Sequence, residues 1–128
     1  MIQQITKGIK VSVSTSFEGN FIKNNIINYA FSYKIKIENN SKDAVQLLTR
    51  HWKIIESNQK TKFINGNGVL GEKPIVKPGE SHKYSSGCLI ASSIGSMSGV
   101  YTMINLSNTD KFSVKIPSFK LNVPFILN

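Results

Sequence analysis

From Tyr29 to Glu38 the chain alternates without a break: Tyr29, Phe31, Tyr33, Ile35 and Ile37 stand between Ala30, Ser32, Lys34, Lys36 and Glu38. A period of two sends each set of side chains to one face of an extended strand, whereas a helix would scatter the same residues around its circumference. The pattern predicts a strand with one buried face and one wet face. Ile9, Val11 and Val13 repeat it between Lys10, Ser12 and Ser14. No window of a dozen residues carries an apolar stripe at helical spacing. A chain patterned this way has to fold as sheet.

Further strands are expected over Val45 to Ile55, where apolar residues occupy both parities as in a central strand or a bulge, and over Lys62-Phe63-Ile64. Others are expected at about Ser81–Cys88, Gly99–Leu106 and Lys111–Val123. Turn signals separate them: Glu18-Gly19-Asn20, Asn39-Asn40-Ser41, Glu56-Ser57-Asn58, Lys77-Pro78-Gly79 and Ser107-Asn108-Thr109-Asp110. About seven short strands broken so regularly point to an all-β, immunoglobulin-like β-sandwich rather than a barrel, because the strand lengths are unequal. The 128 residues contain no repeat, low-complexity tract or linker, so residues 1–128 are read as a single domain.

Composition narrows the function. One cysteine, Cys88, excludes an internal disulfide and any two-cysteine zinc knuckle. No apolar run approaches the roughly 18 residues that span a bilayer, so no membrane insertion is expected. The start, Met1-Ile2-Gln3-Gln4-Ile5-Thr6-Lys7, lacks the pattern of a secretory leader, which predicts a cytoplasmic protein. The net charge of +9 invites a nucleic-acid partner, yet fifteen of the sixteen basic residues are lysine and they are scattered singly. Base and phosphate recognition favours the bidentate guanidinium, of which Arg50 is the sole example. Nucleic acid is therefore not the expected partner.

Gly66-Asn67-Gly68-Val69-Leu70-Gly71 spells G-x-G-x-x-G after an expected strand. A dinucleotide-binding loop needs a helix after its third glycine to hold the pyrophosphate. Here Glu72-Lys73-Pro74-Ile75-Val76-Lys77-Pro78 follows, and two prolines in that stretch exclude the helix. Two readings remain: an anion-binding nest of backbone N–H groups with Lys73 and Lys77 nearby, or a loop whose glycines serve only tight turns and close packing. Arg50 shares parity with Trp52, a candidate centrepiece of the core with Phe31 or Tyr33, Ile54, Tyr101 and Met103 around it. Arg50 is read as an anion anchor or as the ion-pair partner of a carboxylate. The candidate ligand-binding residues are thus Gly66, Gly68, Gly71, Lys73 and Arg50.

Other chemistry finds little material. His51, His82, Glu72, Glu80 and Cys88 show no metal-ligand spacing, so no metal site is expected. Cys88 sits in the apolar run Gly87-Cys88-Leu89-Ile90 and reads as a small hydrophobe. Ser85-Ser86-Gly87-Cys88 lacks a nucleophile elbow. No catalytic residue and no cofactor is assigned.

The motifs taken together resemble the ApaG family. The resemblance rests on Gln46-Leu47-Leu48-Thr49-Arg50-His51-Trp52, Gly66-Asn67-Gly68-Val69-Leu70-Gly71-Glu72-Lys73-Pro74, Pro78-Gly79-Glu80 and Tyr84-Ser85-Ser86-Gly87. It continues with Gly95-Ser96-Met97-Ser98-Gly99-Val100-Tyr101-Thr102-Met103 and Ile116-Pro117-Ser118-Phe119-Lys120-Leu121, in family order and covering residues 1–126. The chain departs from the family pattern at Ser92-Ser93-Ile94, where a proline is usual, and in its strong basic charge. The resemblance implies a seven-stranded fibronectin type III-like sandwich. It also implies an association with cobalt resistance and magnesium efflux, taken here as indirect, and genes that often adjoin a diadenosine tetraphosphate hydrolase. Similar domains in eukaryotic F-box and polymerase-interacting proteins look like binding modules, and the family supplies no settled catalytic residues to carry over. The expected function is a non-enzymatic interaction module with a protein partner, a second copy of the chain included. The alternative is a binder of nucleotide polyphosphate or pyrophosphate at Gly66–Gly71.

Overall fold

The computed structural model describes residues 1–57 and 60–124, which form nine strands and no helix. They are β1 (Ile2–Thr6), β2 (Ile9–Lys23), β3 (Ile26–Asn39), β4 (Val45–Glu56), β5 (Thr61–Asn67), β6 (Ile75–Val76), β7 (Ser81–Ile90), β8 (Ile94–Asn105) and β9 (Lys111–Asn122). All pair antiparallel, in two sheets ordered β1-β2-β3-β7 and β5-β4-β8-β9, with β6 paired to the start of β4. The result is the β-sandwich that the alternation predicts. Each of the seven expected strands is present, and β1 and β6 are additional.

The alternation becomes the core directly. Val11 and Val13 of β2, and Phe31, Tyr33, Ile35 and Ile37 of β3, bury against Trp52 and Ile54 of β4, Tyr101 and Met103 of β8 and Leu121 of β9. In β4 the double parity is a bulge. Leu47 pairs with Met103 and Thr49 with Thr102, so Leu48 is the extra residue, and the inward set changes from Val45 and Leu47 to Trp52 and Ile54. Trp52 is buried, its ring 5.4 Å from Tyr33 and 6.0 Å edge-on from Phe119. Opposite it stands Gly99, where a β-carbon would come within 3.0 Å of the indole. Pro117, which has no N–H to give, lies on edge strand β9 within the register shift opposite Met97 and Gly99.

One expected turn is corrected. Glu18-Gly19-Asn20 does not end a strand; the register shifts between Phe17 and Gly19 while β2 continues to Lys23. The reversal comes at Asn24 and Asn25, both at positive φ (53° and 61°), as a two-residue type I′ hairpin requires. Of the expected turn at Glu56-Ser57-Asn58, Glu56 is the last residue of β4 and Asn58 lies outside the described residues.

The two open sides of the sandwich differ. On one, Lys115 N–H of β9 donates to Thr6 Oγ1 of β1 at 3.3 Å. On the other, β5 and β7 are linked by Lys62 Nζ, which donates to Leu89 O at 3.2 Å. The cleft described next lies along that second side.

Candidate functional site: the cleft between β5 and β7

Arg50 and Trp52 share a face of β4, so Arg50 points into the sandwich, cross-strand from Tyr101 on β8 and Gly66 on β5. Its guanidinium crosses Gly66: a β-carbon there would sit 2.7 Å from Cζ and both Nη atoms. Nη1 donates to the carbonyl oxygens of Asn67 at 3.0 Å and Gly68 at 2.9 Å. The ion pairs among the described residues are Lys10–Glu38, Lys36–Glu38 and Lys62–Glu56, so Arg50 is not the ion-pair partner that one reading of the sequence offered. Backbone carbonyls take that role.

Each glycine of the G-x-G-x-x-G run has a local task. Gly66 makes room for Arg50. Gly68 is at φ 60°, and a β-carbon on it would collide with the Glu72 carbonyl oxygen. Leu70 and Gly71, at φ 49° and 78°, are the central residues of a tight hairpin in which Val69 and Glu72 exchange N–H···O bonds of 2.8 and 3.0 Å. Gly68 N–H donates to Leu48 O at 2.8 Å, so the N–H groups of Gly68, Val69 and Glu72 all have backbone acceptors. Lys73 is exposed, its Cγ beside Gly68, and its carbonyl accepts from Gln46 Nε2 at 3.0 Å. Gly66, Gly68, Gly71, Arg50 and Lys73 are therefore gathered in one place, with Arg50 holding the loop from beneath.

Under the loop, Arg50 faces a cluster of hydroxyls that the sequence spacing does not disclose. Tyr33 lies beside Ser86, its register partner across β3 and β7, and the Tyr84 and Tyr101 hydroxyls are hydrogen-bonded to each other. Burial pushes the pKa of Tyr33, Tyr84 and Tyr101 upward, and the charge of Arg50 pulls all three the other way. Burial also pushes the Cys88 thiol up to about 11, against the pull of Lys62. That is the reverse of the shift that makes a nucleophilic thiolate at neutral pH. Arg50, Tyr33, Tyr84, Ser86 and Cys88 border a cavity of about 220 Å³ between the two sheets, with the buried Trp52 and Met97 and the exposed Leu70 also in its lining.

The histidines lie elsewhere. His51 faces outward from β4, with Nε2 3.0 Å from Thr49 Oγ1 and Nδ1 2.9 Å from Asn65 Oδ1, so both ring nitrogens are engaged. His82 is on the other sheet, its ring 6.2 Å from that of Tyr84. Among the described residues no three His, Cys, Asp or Glu side chains gather as a metal site would need, and no helix is long and apolar enough to cross a membrane.

The fold and the cleft define a class: a small antiparallel two-sheet β-sandwich with an arginine-held glycine hairpin at one open edge. The ApaG domain model matches residues 21–105. The chain is 39% identical over 127 residues to Protein ApaG of Shewanella halifaxensis, covering 99% of this chain and 100% of that protein. It is 37% identical over 126 residues to Protein ApaG of a Methylobacterium species, covering 98% and 96%. Among solved structures, an X-ray structure of a structural-genomics target superposes with a TM-score of 0.88 at 36% identity, covering 94% of this chain and 90% of that one. A Bordetella pertussis protein described as ApaA gives 0.80 at 31% identity, covering 91% and 94%. The chain belongs to the ApaG family.

Proposed function

We propose that this chain is a non-enzymatic binding module that engages a protein partner through the arm formed by the end of β2 and the start of β3. The supporting observation is the ribbon itself. β1 pairs with β2 only as far as Val13, and β7 pairs with β3 only from Tyr29 onward, so residues 20–28 project as two strands alone. Ile22 pairs with Ile27 on one face of the ribbon, and Phe21 and Ile26 lie on the other. These four are 73%, 50%, 42% and 54% exposed. Single exposed apolar residues are ordinary, but an apolar group on both faces of an overhanging ribbon is not. A two-stranded ribbon is marginal by itself, and fully burying one such side chain is worth about 1.5–3 kcal/mol, so a partner that grips it gains several.

The chemistry of the interior supports the non-enzymatic part. The tyrosine hydroxyls and the Cys88 thiol are held protonated, and the histidine nitrogens of His51 serve Thr49 and Asn65. The association with cobalt resistance and magnesium efflux then runs through the partner rather than through metal on this chain. The polyphosphate reading of Gly66–Gly71 has less support, because three N–H groups of that loop and Nη1 of Arg50 already have acceptors within the chain.

Photo-crosslinkers placed in living cells at Phe21 and at Ile27 test the reading. Discrete adducts with one protein are expected from both positions and not from Asn108, in the β8–β9 turn. Adducts equally frequent from Asn108, or none from the arm, would contradict it.

A further inference from the structure

The cleft between β5 and β7 has a feature unrelated to the arm. Arg50 is half-buried, and no carboxylate lies within ion-pair distance of it among the described residues. A guanidinium partly withdrawn from water and lacking a counter-charge retains a strong demand for an anion. Nη1 is occupied by the Asn67 and Gly68 carbonyls, which leaves Nη2 and Nε with donors to offer. We propose that this cleft binds a small organic monoanion, a carboxylate carried on an apolar or aromatic body, with Arg50 as its anchor.

Size and charge select the ligand class. The cavity of about 220 Å³ is below the roughly 300–1,000 Å³ typical of drug-sized and cofactor sites, which excludes a whole nucleotide. Its lining contains Arg50 as a single cation and no acidic side chain, so one negative charge is matched and the several of a pyrophosphate are not. Ile64 and Leu70, over the buried Trp52, Val69 and Met97, offer an apolar surface to the rest of the molecule, while the Tyr33 and Ser86 hydroxyls can orient the carboxylate. Leu70 is 65% exposed at the rim of the cleft.

Trp52 is the single tryptophan and borders the cleft, so its emission reports occupancy without a label. Titration with phenylacetate at moderate salt is expected to give a saturable change with Kd of about 1 mM or tighter. Phenylacetamide, which keeps the ring and loses the charge, should bind at least about tenfold more weakly. Arg50→Lys should weaken phenylacetate binding about tenfold or more, since an ammonium lacks the planar fork. Ser86→Leu, which fills the cleft and leaves Arg50 in place, should abolish it while the protein still melts cooperatively. If Arg50→Lys does not fold, the amide and Ser86→Leu comparisons decide. The inference is overturned by a flat phenylacetate titration to about 20 mM, by equal binding of acid and amide, by binding that survives Ser86→Leu, or by pyrophosphate binding more tightly than phenylacetate. None of those outcomes touches the arm, which does not line this cavity.

Discussion

Gly68 and Gly71 look interchangeable in the G-x-G-x-x-G string and are not so in the folded chain. Both have positive φ, but a β-carbon at Gly68 meets the Glu72 carbonyl oxygen, while one at Gly71 meets nothing within 4 Å. Gly71→Ala carries only the left-handed backbone penalty, expected at about 1 kcal/mol. Gly68→Ala carries that penalty and a collision in a hairpin closed by two hydrogen bonds, and should cost more than about 2 kcal/mol. Urea unfolding of the two variants checks the order; Gly71→Ala as the more damaging change would contradict the hairpin geometry. Gly66 has a third task, since the Arg50 head group lies where its β-carbon would be. One arginine and three glycines thus form a unit: the arginine bonds to carbonyls, Gly66 and Gly68 make room, and Gly71 takes the left-handed turn position.

At the scale of elements, the least anticipated feature is how few side chains tie strand ends together. Asn39, at the end of β3, is fully buried. Its Nδ2 donates to Asp43 O and to Val76 O of β6, each at 2.8 Å, and its Oδ1 accepts from Ser41 N at 2.9 Å and Ser41 Oγ at 2.6 Å. Asn39→Ala strands those groups at a buried junction, and an expected loss of about 2–4 kcal/mol follows. Thermal or urea melts measure it directly, and a loss below about 0.5 kcal/mol, the scale of an ordinary surface change, would contradict the junction. At the other end of β4, buried Glu56 accepts from Ala91 N at 2.9 Å, with Lys62 Nζ at 4.0 Å. Neither knot is legible in the sequence, because a buried Asn and Glu look like any turn residues until the loops around them close. The strands are legible where alternation is strict, as in β3. β1 is missed because Ile2 and Ile5 are spaced by three and β1 lies on an edge with little to bury. β6 is missed because two residues cannot display a period. The arm is missed because Phe21-Ile22 and Ile26-Ile27 put apolar residues on both faces, and Gly19 supplies a bulge where a turn is expected.

For the molecule as a whole, two surfaces stand apart: an apolar arm overhanging the β1-β2-β3-β7 sheet and a cleft on the β5/β7 side. The cleft was half legible. Arg50 sharing parity with Trp52 already places a guanidinium on the inward face, where it must find polar company. That this company is Tyr33, Tyr84, Ser86 and Tyr101 depends on the register of β3 with β7 and of β4 with β8, which spacing along the chain does not contain. The arm carries the functional account, because its apolar residues are not needed by the sandwich on which they stand. The most direct measurement replaces Phe21, Ile22, Ile26 and Ile27 with threonine together and follows two quantities side by side. One is the melting temperature, and the other is the affinity for the protein crosslinked from the arm. Melting within about 4 °C of wild type, equivalent to less than about 1 kcal/mol, and a loss of affinity of at least about a hundredfold are expected. A variant that binds as well as wild type, or one that loses its fold, would contradict the account.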